Sequence, residues 1–386
     1  MYNWLTGARR VAEAIADTPD CVPIYGSLPT HALHLAGIPA RTFYSEPAPF
    51  VQAQVLLAEY YGFDLPIVFG DMHNIEAEAL GRRVLYHEGA APLLDPAQRL
   101  VQNRADLECL QAPDFERAGR MPFLLEGYRL AGEMTGLPAL RWFCAPFSLA
   151  CAVRGYTALV RDIRQDPSFA HALLERLTEQ ILIPWIRVQL AQPPPARAAT
   201  GVDPWASVPI VTWPIIQEFV RPYVLRLRDL FAAEGYSVGA VGQWGESRLP
   251  DPVPFLEAKI EMRGSLRGLD PDVQRLGPGL YVETAARHGV ALALGLDSRL
   301  IHDGPVAAIA ARVRAYIAAA APRGRFTLVI NNVPGDTPPE HIQAAVAAAR
   351  LYGQYPLAPD LESIPFEMPD VEPFADFCRR RGWRWS

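Results

Sequence analysis

Apolar residues fall along this chain in two alternating textures. Short continuous runs end on a polar residue or glycine: LPIVFGD (65–71), ALRWFCAPF (139–147), YSVGAVGQWG (236–245), GVALALGLD (289–297) and RFTLVINNVPG (325–335). Runs of that length without polar alternation predict strands of a parallel sheet covered on both faces. Longer segments between them repeat apolar residues at helical spacing. The stretch 156–186, YTALVRDIRQDPSFAHALLERLTEQILIPWI, predicts two helices, the second opened by Asp166 and Pro167. The segment TPPEHIQAAVAAARLYG (337–353) predicts a helix starting on Thr337, with Glu340 three residues on as its capping box.

Strand followed by helix over most of the length, with no long hydrophilic linker, predicts a (β/α)8 TIM barrel with extra N-terminal helices rather than two doubly wound domains. One domain then spans 1–386: a helical extension over 1–50, the barrel over 51–360 and a tail over 361–386. The proline-rich AQPPPARAATG (191–201) reads as a long βα loop. Barrel chemistry gathers at the carboxyl ends of the strands. That marks Asp71, Gln243, Glu246, Asp297, Asn331 and Asn332 as rim residues by position.

Charge and composition narrow the partners. Formal net charge is -6 with both signs interspersed, and no basic stripe is present, so nucleic acid is not expected. No apolar window is long enough to span a bilayer; the best, VAAIAARVRAYIAAAA, is broken by Arg312 and Arg314. The N-terminal twin arginine is followed by Glu13, Asp17 and Asp20, which predicts a helix and not an export signal. The five cysteines, 21, 109, 144, 151 and 378, are scattered with no CxxC, a usage suited to a reducing cytoplasm.

Four stretches in order carry a resemblance: YGFDLPIVFGDMHNIEAEALG (61–81), APFSLACAVRGYTAL (145–159) with the helix pair after it, VDPWASVPIVTWPIIQEFVRPYVLRL (202–227) and NNVPGDTPPEHIQAAVAAARLYG (331–353). Together they resemble the uroporphyrinogen decarboxylase superfamily, which also contains corrinoid-dependent methyltransferases and whose fold is a (β/α)8 barrel. The resemblance implies pairing as homodimers, for which Trp383 and Trp385 of the tail offer an apolar surface. Methyltransferases of the family that act on a thiol carry His-x-Cys-Gly on the strand that is GAVGQWGE (239–246) here. Gly242 and Trp244 occupy the two ligand positions, and Asn331 and Asn332 stand near the place of the last cysteine, so no zinc site is expected. The set His73, Glu76 and Glu246 is the remaining metal alternative. Asp71 matches the decarboxylase aspartate that contacts pyrrole N–H groups. The Arg-Gln-Ala-Gly-Arg stretch of decarboxylases is replaced by PIYGSLPTHALHLAG, the last-motif histidine is absent, and Ala152 falls at the tyrosine position with Tyr156 close by.

These absences imply a zinc-independent methyltransferase that moves a methyl group between a corrinoid (methylcobalamin) on a carrier protein and a nitrogen heterocycle such as tetrahydrofolate. The alternatives are decarboxylation of a pyrrole or aromatic acid and non-catalytic tetrapyrrole or corrinoid binding. On the leading reading Asp71 and Glu246 are the acidic catalytic groups, a buried carboxyl being able to hold a proton at neutral pH. Gln243, Asn331 and Asn332 read the amide edge of the ring, Trp244 stacks on it, and His73, Tyr156 and Asp297 complete the binding surface. Each has a plainer role: Asp71 as a helix cap, Glu246 as partner of Arg248, Trp244 as packing, the asparagines as turn formers before Pro334 and Gly335.

Overall fold

The computed structural model describes residues 2–383; Trp385 of the expected dimer surface lies outside the described residues. Seven parallel strands carry the fold: β1 (Ile24–Gly26), β2 (Arg141–Cys144), β3 (Ala198–Val202), β4 (Ser237–Val241), β5 (Leu266–Leu269), β6 (Leu292–Leu296) and β7 (Phe326–Ile330). They pair in two arcs. One runs β1-β7-β6-β5, with Ile24 opposite Leu328 and Leu294 opposite Leu328 on its other side. The other runs β2-β3-β4, with Phe143 opposite Gly201 and Gly201 opposite Ala240. Helices follow the strands and cover the outside, so the arcs are the parallel β/α layer of the barrel fold.

Several boundaries differ from expectation. Segment 65–71 forms no strand: Gln54 accepts the Phe69 N–H at 2.9 Å where a ladder carbonyl was expected. The supposed loop 191–201 contains the start of β3, and 1–50, read as a helical extension, also carries β1. The tail carries a helix, Phe374–Arg380, whose Phe374 and Phe377 pack edge-on against Tyr60. Asp166 caps Pro167–Arg176 by accepting the Phe169 N–H as predicted. Thr337 caps nothing; it turns back onto the Pro334 carbonyl, and the helix begins at Pro339.

Arg141 shows how tightly β2 is fixed. Its fully buried guanidinium donates to the carbonyls of Gln189, Ala139, Gln192 and Pro194, each at 2.7–2.8 Å, and lies 4.3 Å from the Tyr128 ring centre. Every nitrogen of that planar fork donates to an oxygen, which ties the strand to the helix Ile183–Ala191 and the proline loop.

Candidate active site

A cavity of about 910 Å³ opens at the carboxyl ends of β1, β2, β3 and β7 and of segment 65–71. Asp71, His73, Tyr156 and Asn332 all line it. So does an antiparallel hairpin inserted after segment 65–71, Val84–Leu85 paired with Leu93–Leu94. The wall is mostly apolar with a few inward polar groups, the usual make-up of a small-molecule site.

Asp71 is the one carboxyl among the described residues that line the cavity. It is 5% exposed and bonded to Asn74 and, at 2.5 Å, to Arg120. Burial pushes its pKa up to about 7, outweighing the lowering by Arg120 and Asn74. Arg120 cannot hold the carboxyl low because it is shared: Glu78 takes its Nε at 2.5 Å and the Tyr44 carbonyl its Nη1 at 3.3 Å. A carboxyl poised near neutrality in an apolar cavity can give or take a proton. Burial also lowers the His73 pKa to about 4, keeping the ring neutral, and its Nδ1 has no partner among the described residues. Tyr156 donates to the Ile210 carbonyl and stacks on Trp205, ring centres 5.1 Å apart.

Behind this surface lie two more buried carboxyls. Glu76 accepts the Cys144 N–H and the Trp185 indole N–H, both at 3.0 Å, and burial raises its pKa to about 7. Asp203, raised to about 6 by burial, fixes the cavity-lining Ser148 through its N–H at 3.0 Å and its hydroxyl at 2.6 Å.

The other half of the rim is filled. Glu246, expected as a catalytic group, is fully buried, bound to Lys259 Nζ at 3.0 Å and accepting the Tyr281 hydroxyl at 2.9 Å, and Arg248 is not its partner. Gly245 swings it inward: its φ is +97°, and a Cβ there would sit 1.8 Å from the Val208 carbonyl oxygen. Gln243 borders a separate cavity of only about 10 Å³, so it shares no space with Asp71. The backbone of Trp244 is clamped between Ser207 and Val208, and its ring lies outside the large cavity. Asp297 caps the helix Ser298–Asp303, and Asn331 accepts from Arg267 at 3.1 Å. Five of the nine predicted site residues therefore lie away from the cavity. His73, Glu76 and Glu246 form no metal set; no three His, Cys, Asp or Glu side chains gather for one among the described residues.

Sequence reasoning missed Arg120, Arg82, Arg99 and Trp205. Arg120 precedes a helix and Arg82 a two-residue strand, positions with no pattern to separate them from surface arginines. Trp205 was visible only as the tryptophan following Asp203 and Pro204 beyond the proline-rich segment.

Comparison with known proteins follows the same outline. The family described as uroporphyrinogen decarboxylase (URO-D) matches residues 7–352. The uroporphyrinogen decarboxylase of Anaeromyxobacter dehalogenans (strain 2CP-C) is 25% identical over 321 residues, 79% of this chain and 86% of that protein. That of Anaeromyxobacter sp. (strain Fw109-5) is 26% identical over 327 residues, again 79% and 86%. Among solved structures, a methyltransferase from Methanosarcina mazei superposes with a TM-score of 0.72 at 17% identity, covering 89% of this chain and 98% of that one. At that identity the likeness speaks for the fold alone.

Proposed function

Because the chain belongs to the uroporphyrinogen decarboxylase (URO-D) family, an enzyme family, we propose that it is an enzyme that moves a methyl group between a corrinoid on a carrier protein and a nitrogen heterocycle such as tetrahydrofolate. The observation that carries the reading is Asp71: a buried carboxyl with a pKa of about 7 facing a cavity of about 910 Å³. When a ring nitrogen takes a methyl group from the corrinoid, its lone pair forms the bond to the methyl carbon, the bond from that carbon to the corrinoid breaks with its electron pair staying on the corrinoid, and the nitrogen then sheds its own proton. In the reverse direction the nitrogen must be protonated to leave. Asp71 serves as the group that takes or gives that proton, while the Tyr156 and Trp205 rings hold the flat heterocycle in place. Neutral His73 and exposed Asn332 are the hydrogen-bonding groups for its polar edge.

Titration calorimetry with tetrahydrofolate and its 5-methyl form, beside a methyl-transfer assay with methylcobalamin, tests the proposal. Binding of both folates and a transfer rate that falls in Asp71→Asn are expected. Tight binding of porphyrinogens without folate binding would overturn it. Folate affinity that survives in Asp71→Asn, with no product above the protein-free background from either wild type or variant, would point to a binding protein without turnover.

One observation favours a second reading, decarboxylation of a pyrrole or aromatic acid. Two arginines, Arg82 and Arg99, line the cavity without an ion-pair partner among the described residues, and the relatives above bear the decarboxylase name. There Asp71 would face the cation that develops on the ring. Release of carbon dioxide from a carboxylated pyrrole, with no methyl transfer, is the result that separates it from the first.

A further inference from the structure

Arg82 is the anomaly of the cavity wall. The residue is 7% exposed and lines the cavity, yet among the described residues only its Nη2 is used, donating to the Asp95 carbonyl at 2.9 Å, while Nε and Nη1 have no partner there. The nearby carboxylate is already taken, since Asp95 pairs with Arg83 and accepts the Ala97 N–H. Burial lowers the Arg82 pKa, the Asp95 charge partly offsets that, and Arg99, exposed on the same wall, adds a second positive charge close enough to lower it further. Arg141 shows what this fold does with a guanidinium meant for structure: four carbonyls answer it. A buried cation with two idle donors beside a like charge costs folding free energy unless an anion arrives.

We propose that the hairpin arginines Arg82 and Arg99 form a carboxylate-binding subsite that anchors an acidic tail of the substrate while its ring reaches Asp71. The base of the hairpin is rigid enough for the task. Gln98 accepts the Arg83 N–H and donates to the Gly81 carbonyl at 3.0 Å, and the Asp95 N–H donates to the Arg83 carbonyl at 2.9 Å. Nε and Nη1 lie on different edges of the Arg82 guanidinium, but Nη2 has spent only one of its two N–H groups on Asp95, and the other shares an edge with one of the unused donors, which leaves one pair of parallel donors to take a carboxylate in bidentate fashion. The subsite rests on the reading of this cavity as the substrate seat, and not on which group is transferred there.

Calorimetry on the full-length protein with 4-aminobenzoyl-glutamate, its neutral diamide and inorganic phosphate tests the subsite. The wild type is expected to bind the diacid at least tenfold more tightly than either other probe. Arg82→Gln and Arg99→Gln are each expected to weaken the diacid tenfold or more and leave the diamide unchanged. No diacid binding, equal affinity for diacid and diamide, or phosphate binding as tight as the diacid overturns the proposal. Unaltered diacid affinity in both variants does the same, even if Arg82→Gln lowers Tm. Should Arg82→Gln not fold, Arg99→Gln decides, because its side chain is exposed. Diacid binding that depends on these arginines in a protein with no methyl transfer would count against the reaction and leave the subsite standing.

Discussion

On the proposed reading, the proton on Asp71 sets the pH dependence of the reaction in the cavity. With a pKa near 7 the carboxyl is half protonated at neutrality. Methyl transfer away from a ring nitrogen needs the acid form, so kcat is expected to fall as pH rises through about 7; transfer onto the nitrogen should show the opposite limb. Rates measured from pH 5.5 to 8.5 in both directions check this, and Asp71→Asn should lower kcat by roughly 10²- to 10⁴-fold, the range typical of general acid–base groups. Glu76 supplies a stability counterpart. Its folded pKa of about 7 lies above the model-peptide value of 4.5, so the fold prefers the protonated form. The associated stabilisation is complete below the unfolded pKa and is lost as pH rises toward 7, roughly 3 kcal/mol at most. Glu76→Gln keeps an oxygen for the Cys144 and Trp185 N–H groups, and urea unfolding should show it more stable than wild type at pH 8 and with a flatter pH slope. Asp71 was legible in the sequence because a carboxylate closes an apolar run; its sharing of Arg120 with Glu78 was not, since the three residues span positions 71 to 120 with no spacing rule between them.

Elements explain why strand ends that look alike in sequence behave differently. Asp71 and Glu246 both follow apolar runs, yet the helix Val253–Arg263 places Lys259 against Glu246, while Asp71 faces the cavity of about 910 Å³. Glu246→Ala strands a buried ammonium and should cost about 3–5 kcal/mol in chemical unfolding while leaving kcat of the folded fraction near wild type. Arg141→Met, which strips four carbonyls of their donor, should lower stability by at least about 3 kcal/mol, read from the same unfolding curves. The missed strands β3 and β5, AATGV and LRGL, are short and broken by glycine or arginine, so no apolar run announces them. Their register comes from neighbours: Gly201 lets the Phe143 ring lie against the backbone, where a Cβ would come within 2.7 Å of it. Conversely 65–71 has the run but no strand assignment, because Gln54 meets its backbone.

Across the chain, the alternation of strand and helix was readable, though not every strand in it, while the asymmetry of the rim was not. Pattern analysis treats all strand ends as equivalent, and only three-dimensional pairing closes one side with Glu246–Lys259, Asp270–Arg312 and Arg267–Asn331 and leaves the other open. That division makes the open side the part that gains most from a ligand. Saturation with the right heterocycle at a hundred times Kd should stabilise the protein by about 2.7 kcal/mol, raising Tm in differential scanning fluorimetry, and Arg82→Gln should shrink that rise for acidic ligands only. No helix among the described residues is long and apolar enough to cross a membrane.

The stacked pair of Tyr156 and Trp205 carries one more consequence. Trp205 is 40% exposed at the cavity mouth, whereas Trp4, Trp142 and Trp185 are buried. An occupant sliding over that indole displaces water from an excited-state dipole, so tryptophan emission should dim and shift to the blue with each increment of bound compound, a change abolished in Trp205→Phe. The protein thus carries its own optical gauge of occupancy, able to rank unlabelled compounds before any reaction has been assigned.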